Sequence, residues 1–226
     1  MDDTVNELDV FKIARCSLAH TWGLDKYCSI RQQLSKPGFS ASNKDSTDVA
    51  KFRSDYCSYY AMSRLPAVLK DCYFKLMEQY KDEWKDVNDK NRNEKASHAF
   101  KAVMTILRKE SIQSGTRGRF WPSFTSKMLA TIDDNLPVWD ENTISFFEIN
   151  LGPYNRASGD KRLEEAASVY KKLLGKTKDY LVKDEAETVI EEFSHILPGY
   201  KDKISDAKKL DVIVWAYGAR ASLMHE

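Results

Sequence analysis

The sequence predicts an all-α protein, on the basis of three observations. Nearly every apolar segment repeats at intervals of three and four residues, which places its apolar side chains on one face of a helix. Strand patterns, in which apolar and polar residues alternate, are scarce. Charged residues make up 31% of the 226-residue chain, as expected for helices with broad solvated faces. A chain of this length can form one large domain or two smaller lobes around a substantial core.

Helix start and stop signals divide the chain into elements. Proline and glycine end several of the apolar repeats, and Ser, Thr or Asp precede several of the next ones as candidate N-caps. Gly175 and Gly218 are predicted to stop helices, and Gly152-Pro153 is predicted to end a helix before a loop over 153–160. In chain order, the predicted helices cover residues 8–23, 24–34, 47–60, 67–87, 100–107, 124–133, 144–151, 163–174, 189–197 and 205–217.

The segment NDKNRNEK, residues 88–95, is the best candidate for an internal linker because it contains no apolar residue. We therefore expect one all-helical domain over residues 1–226. The linker would divide this domain into an N-terminal helical lobe, residues 1–90, and a second lobe that forms the functional core, residues 96–226.

Charge and cysteine content argue against several function classes. The 35 basic residues nearly balance the 34 acidic ones, so a nucleic-acid site has to come from a local basic strip. The four cysteines lack C-x-x-C spacing, so we expect no metal or iron–sulfur site, no cofactor, and thiols in a reducing compartment. The acidic first ten residues do not resemble a signal peptide, and no apolar run could span a bilayer. We expect an intracellular protein, cytoplasmic or nuclear, without a membrane partner.

The candidate reactive residues are a lysine and an aspartate in the stretch SKMLATIDDNLPVWDEN. Lys127 lies on the rim of the apolar face of its predicted helix, for which Ser123 is the candidate N-cap. That helix should rise about 15 Å, and the residues that lead from it to Asp140 could return over about 20 Å when extended. Pro137 favours an extended path, so we expect the chain to bring Asp140 back beside Lys127.

A lysine and an aspartate in this arrangement can support amine chemistry. Partial burial and a first-turn position near the positive end of the helix dipole should both lower the pKa of Lys127. The Asp140 carboxylate could then take up and return protons while a Schiff base forms and resolves. A structural interpretation stays open, because Asp140 is also a good N-cap for the following helix and rim lysines commonly extend toward water.

The order of these residues resembles the helix-hairpin-helix DNA glycosylase superfamily, in particular its 8-oxoguanine DNA glycosylase-like branch. Ser126-Lys127-Met128-Leu129 is similar to the start of the lysine-bearing helix. Leu136-Pro137-Val138-Trp139-Asp140 is similar to the proline-containing element that delivers the aspartate. Leu210-Asp211-Val212-Ile213-Val214-Trp215 resembles the closing helix of that branch. The similarity covers about residues 100–218.

This resemblance implies a two-lobed helical bundle with a cleft between the lobes, into which a damaged base is flipped from double-stranded DNA. It implies that Lys127 attacks the sugar C1′, displaces an oxidised base and forms a Schiff base that permits AP lyase cleavage. Asp140 would assist proton transfer, and no metal would be required. The expected protein is a base-excision repair enzyme, a hydrolase and lyase, that acts as a monomer.

A basic strip precedes the lysine helix, where RFWPSF replaces the glycine-rich hairpin that holds a DNA phosphate in that superfamily. Arg117, Arg119 and Lys109 are the predicted phosphate contacts within this strip. A solvated loop is the alternative interpretation. The candidates for stacking on an extruded base are Trp121, Trp139 and Trp215, and a core or capping role is the alternative for each. We include Trp121 among the predicted DNA contacts.

Two other functions stay open. A catalytically silent helical module could use the same scaffold to bind nucleic acid or protein, and the near-zero net charge and the missing hairpin favour it. An enzyme of unrelated type could carry the same order of lysine and aspartate by chance.

Overall fold

The computed structural model describes residues 23–43, 45–62, 65–115 and 118–223, of which 219–223 are described by their backbone only. Over these ranges the chain forms helices joined by turns and irregular segments, without a β-strand, so the all-α prediction is confirmed. Most of the first predicted helix and the predicted DNA contact Arg117 lie outside the described residues. No helix within these ranges is long and apolar enough to cross a membrane.

Ten α-helices form within the described residues. They are α1 (Gly23–Leu34), α2 (Thr47–Tyr59), α3 (Ala67–Glu83), α4 (Arg92–Gln113), α5 (Pro122–Ile132), α6 (Glu141–Phe146), α7 (Gly152–Arg156), α8 (Gly159–Leu181), α9 (Asp184–Ile196) and α10 (Asp206–Leu223). Two short 3-10 helices, Trp84–Asp86 and Pro198–Tyr200, follow α3 and α9.

Several helix boundaries differ from the prediction. Gly152-Pro153 begins α7 instead of ending a helix, because proline is well tolerated in a first helical turn. Gly175 and Gly218 lie inside α8 and α10, so neither stops its helix. At Gly218 a side chain would overlap the amide of Asn142, so this glycine allows α10 to pass close to α6. Helix α4 begins at Arg92, within the predicted linker.

One large hydrophobic cluster takes buried side chains from both sides of the predicted linker. The two longest helices, α4 and α8, pack against each other, and the Phe100 ring stacks on Tyr170 with 4.1 Å between centroids. Helix α5 packs against α1, α3 and α4, which places it inside the bundle. Burying each large apolar side chain of this kind contributes about 1.5–3 kcal/mol.

A second, smaller cluster joins α1 to α9 and α10. It contains Leu24 and Tyr27 from α1, Phe193 from α9, and Val212 and Ile213 from α10. The two clusters meet along α1 and α10. The candidate site lies at this junction.

Candidate functional site

Helix α5 positions Lys127 in its second turn. The helix begins with Pro122, and Trp121 occupies the N-cap position without a side-chain cap, so Ser123 is not the N-cap. The first-turn position predicted for Lys127 is therefore wrong. The helix dipole acts mainly within the first turn, so it is not the reason for a shifted lysine pKa.

The side chain of Lys127 is half-buried between aromatic rings. Its Nζ lies 5.6 Å from the centroid of the Tyr60 ring and 5.6 Å from that of Phe124. Within the described part of the chain, Nζ makes no hydrogen bond and no ion pair. Burial lowers the pKa of Lys127, and the nearby carboxylates of Asp140 and Asp211 offset only part of this effect. The amine is thus easier to deprotonate than that of an ordinary lysine.

Hydrogen bonds fold the return loop, residues 133–140, back onto α5. The backbone N–H of Trp139 donates to the buried Ser126 Oγ at 2.8 Å. The Trp139 indole is 6% exposed and stacks on Phe100, so it is a core residue. Ser126 precedes Lys127 and Trp139 precedes Asp140. This bond therefore holds the backbone before Asp140 against the helix turn that carries Lys127.

Two aspartates fix the start of the return loop. Asp133 accepts hydrogen bonds from Trp84 Nε1 at 3.0 Å and from Arg92 Nε at 2.8 Å. Asp134 accepts a hydrogen bond from the backbone N–H of Ser205 at 2.9 Å. The end of α5 is therefore tied to the helices on both sides of it, and the loop begins from a fixed point.

Asp140 caps α6 and also lines the cavity described below. Its Oδ1 accepts a hydrogen bond from the Thr143 N–H at 2.8 Å, which confirms the predicted N-cap of α6. Among the described residues, Asp140 and Lys127 form no direct ion pair with each other or with a third group. Burial raises the pKa of Asp140 and the Asp211 carboxylate raises it further, which outweighs the opposite effects of Thr143 and Lys127.

A cavity of about 340 Å³ lies between α1, the end of α2, α5, the return loop and α10. Lys127 and Asp140 both line it, so the return loop brings the two residues to one cavity. The volume falls within the range of small-molecule sites. No group of three or more His, Cys, Asp or Glu side chains that could hold a metal is found in the described residues.

Helix α10 contributes an ion pair that sequence analysis missed. Lys208 is 4% exposed, its Nζ lies 2.6 Å from Asp211 Oδ2, and it stands 4.4 Å from the centroid of the Tyr27 ring. Burial disfavours its ammonium form, but Asp211 and nearby tyrosines outweigh burial and raise the pKa of Lys208 well above its usual value. The signal was present, because Lys208, Asp211, Val212 and Trp215 recur at helical spacing and so share one face.

The three candidate stacking tryptophans have different surroundings. Trp215 is 56% exposed and lines the cavity. Trp139 is buried in the core, as its alternative interpretation stated. Trp121, a predicted DNA contact, is half-buried and stacks on Phe124 with 5.5 Å between centroids. Only Trp215 among these three reaches the cavity.

The described residues of the basic strip lie away from the cavity. Lys109 and Arg119 are exposed, and neither lines it. Arg108, one residue before Lys109, forms an ion pair of 2.7 Å with Asp160 at the start of α8. The structure therefore brings Lys127 and Asp140 together and leaves Lys109, Arg119 and Trp121 outside their cavity.

Comparison with protein-family models, curated proteins and solved structures finds no match to this chain. The function of the site therefore has to be argued from its own geometry and chemistry.

Proposed function

We propose that this protein is a base-excision DNA glycosylase with AP lyase activity, which removes an oxidised base through a Schiff base on Lys127. The observation that carries the proposal is that Lys127, an amine without a partner among the described residues, shares one cavity with Asp140. The order of residues that resembles the helix-hairpin-helix glycosylases gives independent support.

Lys127 is the nucleophile in this proposal. Its lowered pKa increases the fraction of neutral amine near neutral pH, and only the neutral amine can attack. The Nζ lone pair forms a bond to the sugar C1′ while the bond from C1′ to the base nitrogen breaks, and that electron pair leaves with the base. Nζ then loses a proton, the sugar ring opens, and C1′ and Nζ form a Schiff base.

Asp140 moves the protons that these steps require. Its raised pKa keeps a larger fraction of the acid protonated than in an ordinary aspartate. The proton that Nζ loses passes to the carboxylate of Asp140, and the acid returns it to the ring oxygen of the sugar as the ring opens. Proton transfer by a positioned group of this kind contributes about 10²–10⁴-fold to a rate.

The cavity is a suitable receptor for an extruded base. It lies where the two hydrophobic clusters meet, which would correspond to the cleft of the two-lobed arrangement that the resemblance implies. Tyr59 and Tyr60 line it, and the exposed Trp215 stands beside them. Aromatic faces hold an unstacked base by stacking, and flipping the base makes C1′ accessible.

Borohydride trapping tests the proposal directly. Duplex DNA that carries an abasic site or an oxidised guanine is mixed with the protein and sodium borohydride, which reduces a Schiff base to a stable covalent adduct. We expect an adduct that Lys127→Ala abolishes and that Lys70→Ala, at a half-buried lysine outside the cavity, retains. An adduct that persists in Lys127→Ala, or no adduct on either substrate, would contradict the proposal.

A catalytically silent helical module that binds nucleic acid or protein is the second candidate, favoured by the formal net charge of +1 and by the missing hairpin. Salt-dependent DNA binding that Arg119→Ala weakens, without base release or adduct formation, would support this module over the enzyme.

A further inference from the structure

Arg162, in the first turn of α8, is held between two aromatic rings without an anionic partner. Its Cζ lies 4.5 Å from the centroid of the Tyr154 ring and 5.7 Å from that of Phe120. Its Nε is buried without a hydrogen-bond acceptor, and no ion pair reaches its guanidinium from any other described residue. A guanidinium carries five N–H donors in a fixed plane, so Arg162 can still bind an anion.

Two further N–H donors without an acceptor among the described residues belong to Arg108, which lies against the Phe120 ring, and to Trp121, the next residue in sequence. The Cζ of Arg108 stands 4.9 Å from the centroid of Phe120, and its Nε is buried without a partner within the described ranges. The indole Nε1 of Trp121, the residue after Phe120, is also buried without an acceptor among the described residues. A buried donor without an acceptor costs about 1–3 kcal/mol, so three such donors close together in sequence or space are unusual.

The surroundings favour a phosphate as the ligand. Arginine forks match the geometry of phosphate oxygens, and the rings on Arg162 limit the motion of its guanidinium, which reduces the entropy lost on binding. The N-terminal end of the 23-residue helix α8 adds a favourable dipole. The carboxylate of Asp160, which pairs with Arg108, is 94% exposed and would compete with a phosphate for this arginine.

The position of Arg162 connects it to the proposed active site. The Tyr154 ring that covers Arg162 makes an edge contact of 5.5 Å with Trp139, the residue before Asp140. The Arg108–Asp160 ion pair holds the segment around Arg108 against the start of α8, and the exposed cations Lys109, Arg119 and Lys161 lie close to the two arginines in sequence. Several cations on neighbouring segments suit a polymer of phosphates better than a single free anion.

We propose that Arg162, together with Arg108, binds a backbone phosphate of the DNA strand and takes the role of the absent glycine-rich hairpin. This inference rests on the proposed function for its choice of DNA as the ligand. The site is separate from the cavity and adds a DNA contact that the sequence pattern did not single out.

The test is the salt dependence of binding to a duplex that carries a tetrahydrofuran abasic analogue. Removing one phosphate contact with Arg162→Gln should reduce the slope of log K against log salt by about 0.9 and weaken binding roughly tenfold. Lys172→Gln, which removes an exposed cation further along α8, is the matched control and should change neither quantity as much. An unchanged slope in Arg162→Gln would overturn the inference.

Two further variants guard against a folding defect. Arg162→Lys keeps the charge but loses the planar fork, so it should bind with intermediate affinity. Asp160→Asn removes the competing carboxylate and should strengthen binding, an effect that a damaged fold would not produce. Weaker binding by Asp160→Asn would count against the inference.

Borohydride trapping at saturating DNA separates this inference from the proposed function. A reduced slope in Arg162→Gln, with no Lys127 adduct in the unmodified protein, would support the phosphate contact and refute the glycosylase. A Lys127 adduct in the unmodified protein, with an unchanged slope in Arg162→Gln, would support the glycosylase and refute the phosphate contact. Inorganic phosphate that binds in an Arg162-dependent manner, while the DNA slope stays unchanged, would reassign the site to a free anion and overturn the DNA assignment.

Discussion

Two lysines line the same cavity from different helices, and their environments differ in burial and in contact with a carboxylate. Lys127 on α5 has aromatic rings around its amine and no carboxylate in direct contact. Lys208 on α10 is more deeply buried, but its ammonium lies 2.6 Å from Asp211. The pKa of Lys127 is lowered, whereas that of Lys208 is raised.

This difference indicates that burial alone does not decide the direction in which the pKa of a lysine shifts. Burial disfavours both ammonium groups, but a carboxylate in contact reverses the balance at Lys208. The ion pair on α10 therefore fits a structural role, and the amine on α5 fits the chemical role that we propose for it.

Asp211→Asn should cause the largest loss of stability, because it leaves the buried ammonium of Lys208 without its partner. We expect the free energy of unfolding to fall by about 3–5 kcal/mol, measured by urea denaturation. Asp82→Asn is the matched control, since Asp82 pairs with Lys85 at the same i,i+3 spacing but on an exposed surface. Equal losses in the two variants would contradict a structural role for the buried pair.

Asp140→Asn and Asp140→Ala should separate capping from proton transfer. Both variants should slow adduct formation by about 10²–10⁴-fold in single-turnover trapping, because neither side chain can exchange a proton. Asparagine can still cap α6, whereas alanine should also cost about 1 kcal/mol of stability. A wild-type rate in Asp140→Asn would reduce Asp140 to a helix cap.

Trp215→Ala should weaken binding to a duplex with an extruded base by about 1–3 kcal/mol, because a stacking face is lost. The unfolding free energy should change little, since Trp215 is 56% exposed. Val182→Ala removes another exposed apolar side chain, remote from the cavity, and should leave binding unchanged. Equal binding by Trp215→Ala and the unmodified protein would exclude a stacking role.

The pH dependence of stability should have opposite signs for the two lysines. A lowered folded-state pKa means that the folded protein binds fewer protons, so the stability of the unmodified protein relative to Lys127→Met should rise between that pKa and the ordinary lysine value. The stabilisation of the unmodified protein relative to Lys208→Met should be fully present below the ordinary lysine pKa, and it should decrease as the pH rises above that value. Urea denaturation over a pH series measures both differences, and slopes of the same sign would contradict the comparison.

The return of Asp140 to the cavity that Lys127 lines could be predicted because both residues lie in one short stretch governed by local rules. Pro137 favours an extended path, and Asp140 has the side chain of an N-cap. The anchors of Asp133, Trp84 and Arg92, belong to other helices, which local patterns do not identify. Helical spacing also placed Lys208 and Asp211 on one face, but only the packing of α10 against α1 turns that face inward.

Glycine was the least reliable signal, for a physical reason. A glycine inside a helix costs about 1 kcal/mol relative to alanine, which tertiary packing readily outweighs. Gly218 stays helical because α6 approaches α10 closely at that point. The local sequence contains no information on that approach, so the predicted helix end was wrong.

The hydrogen bond from the Trp139 N–H to Ser126 Oγ allows amide hydrogen exchange to measure how often the return loop opens from α5. This donor is buried, so it can exchange with deuterium only when the return loop separates from α5. The exchange rate of one backbone amide would thus report the equilibrium between the closed loop and an open form in which Asp140 has left Lys127. The protection factor of the Trp139 amide, measured without any substrate, would give the fraction of molecules in which the return loop is closed on α5.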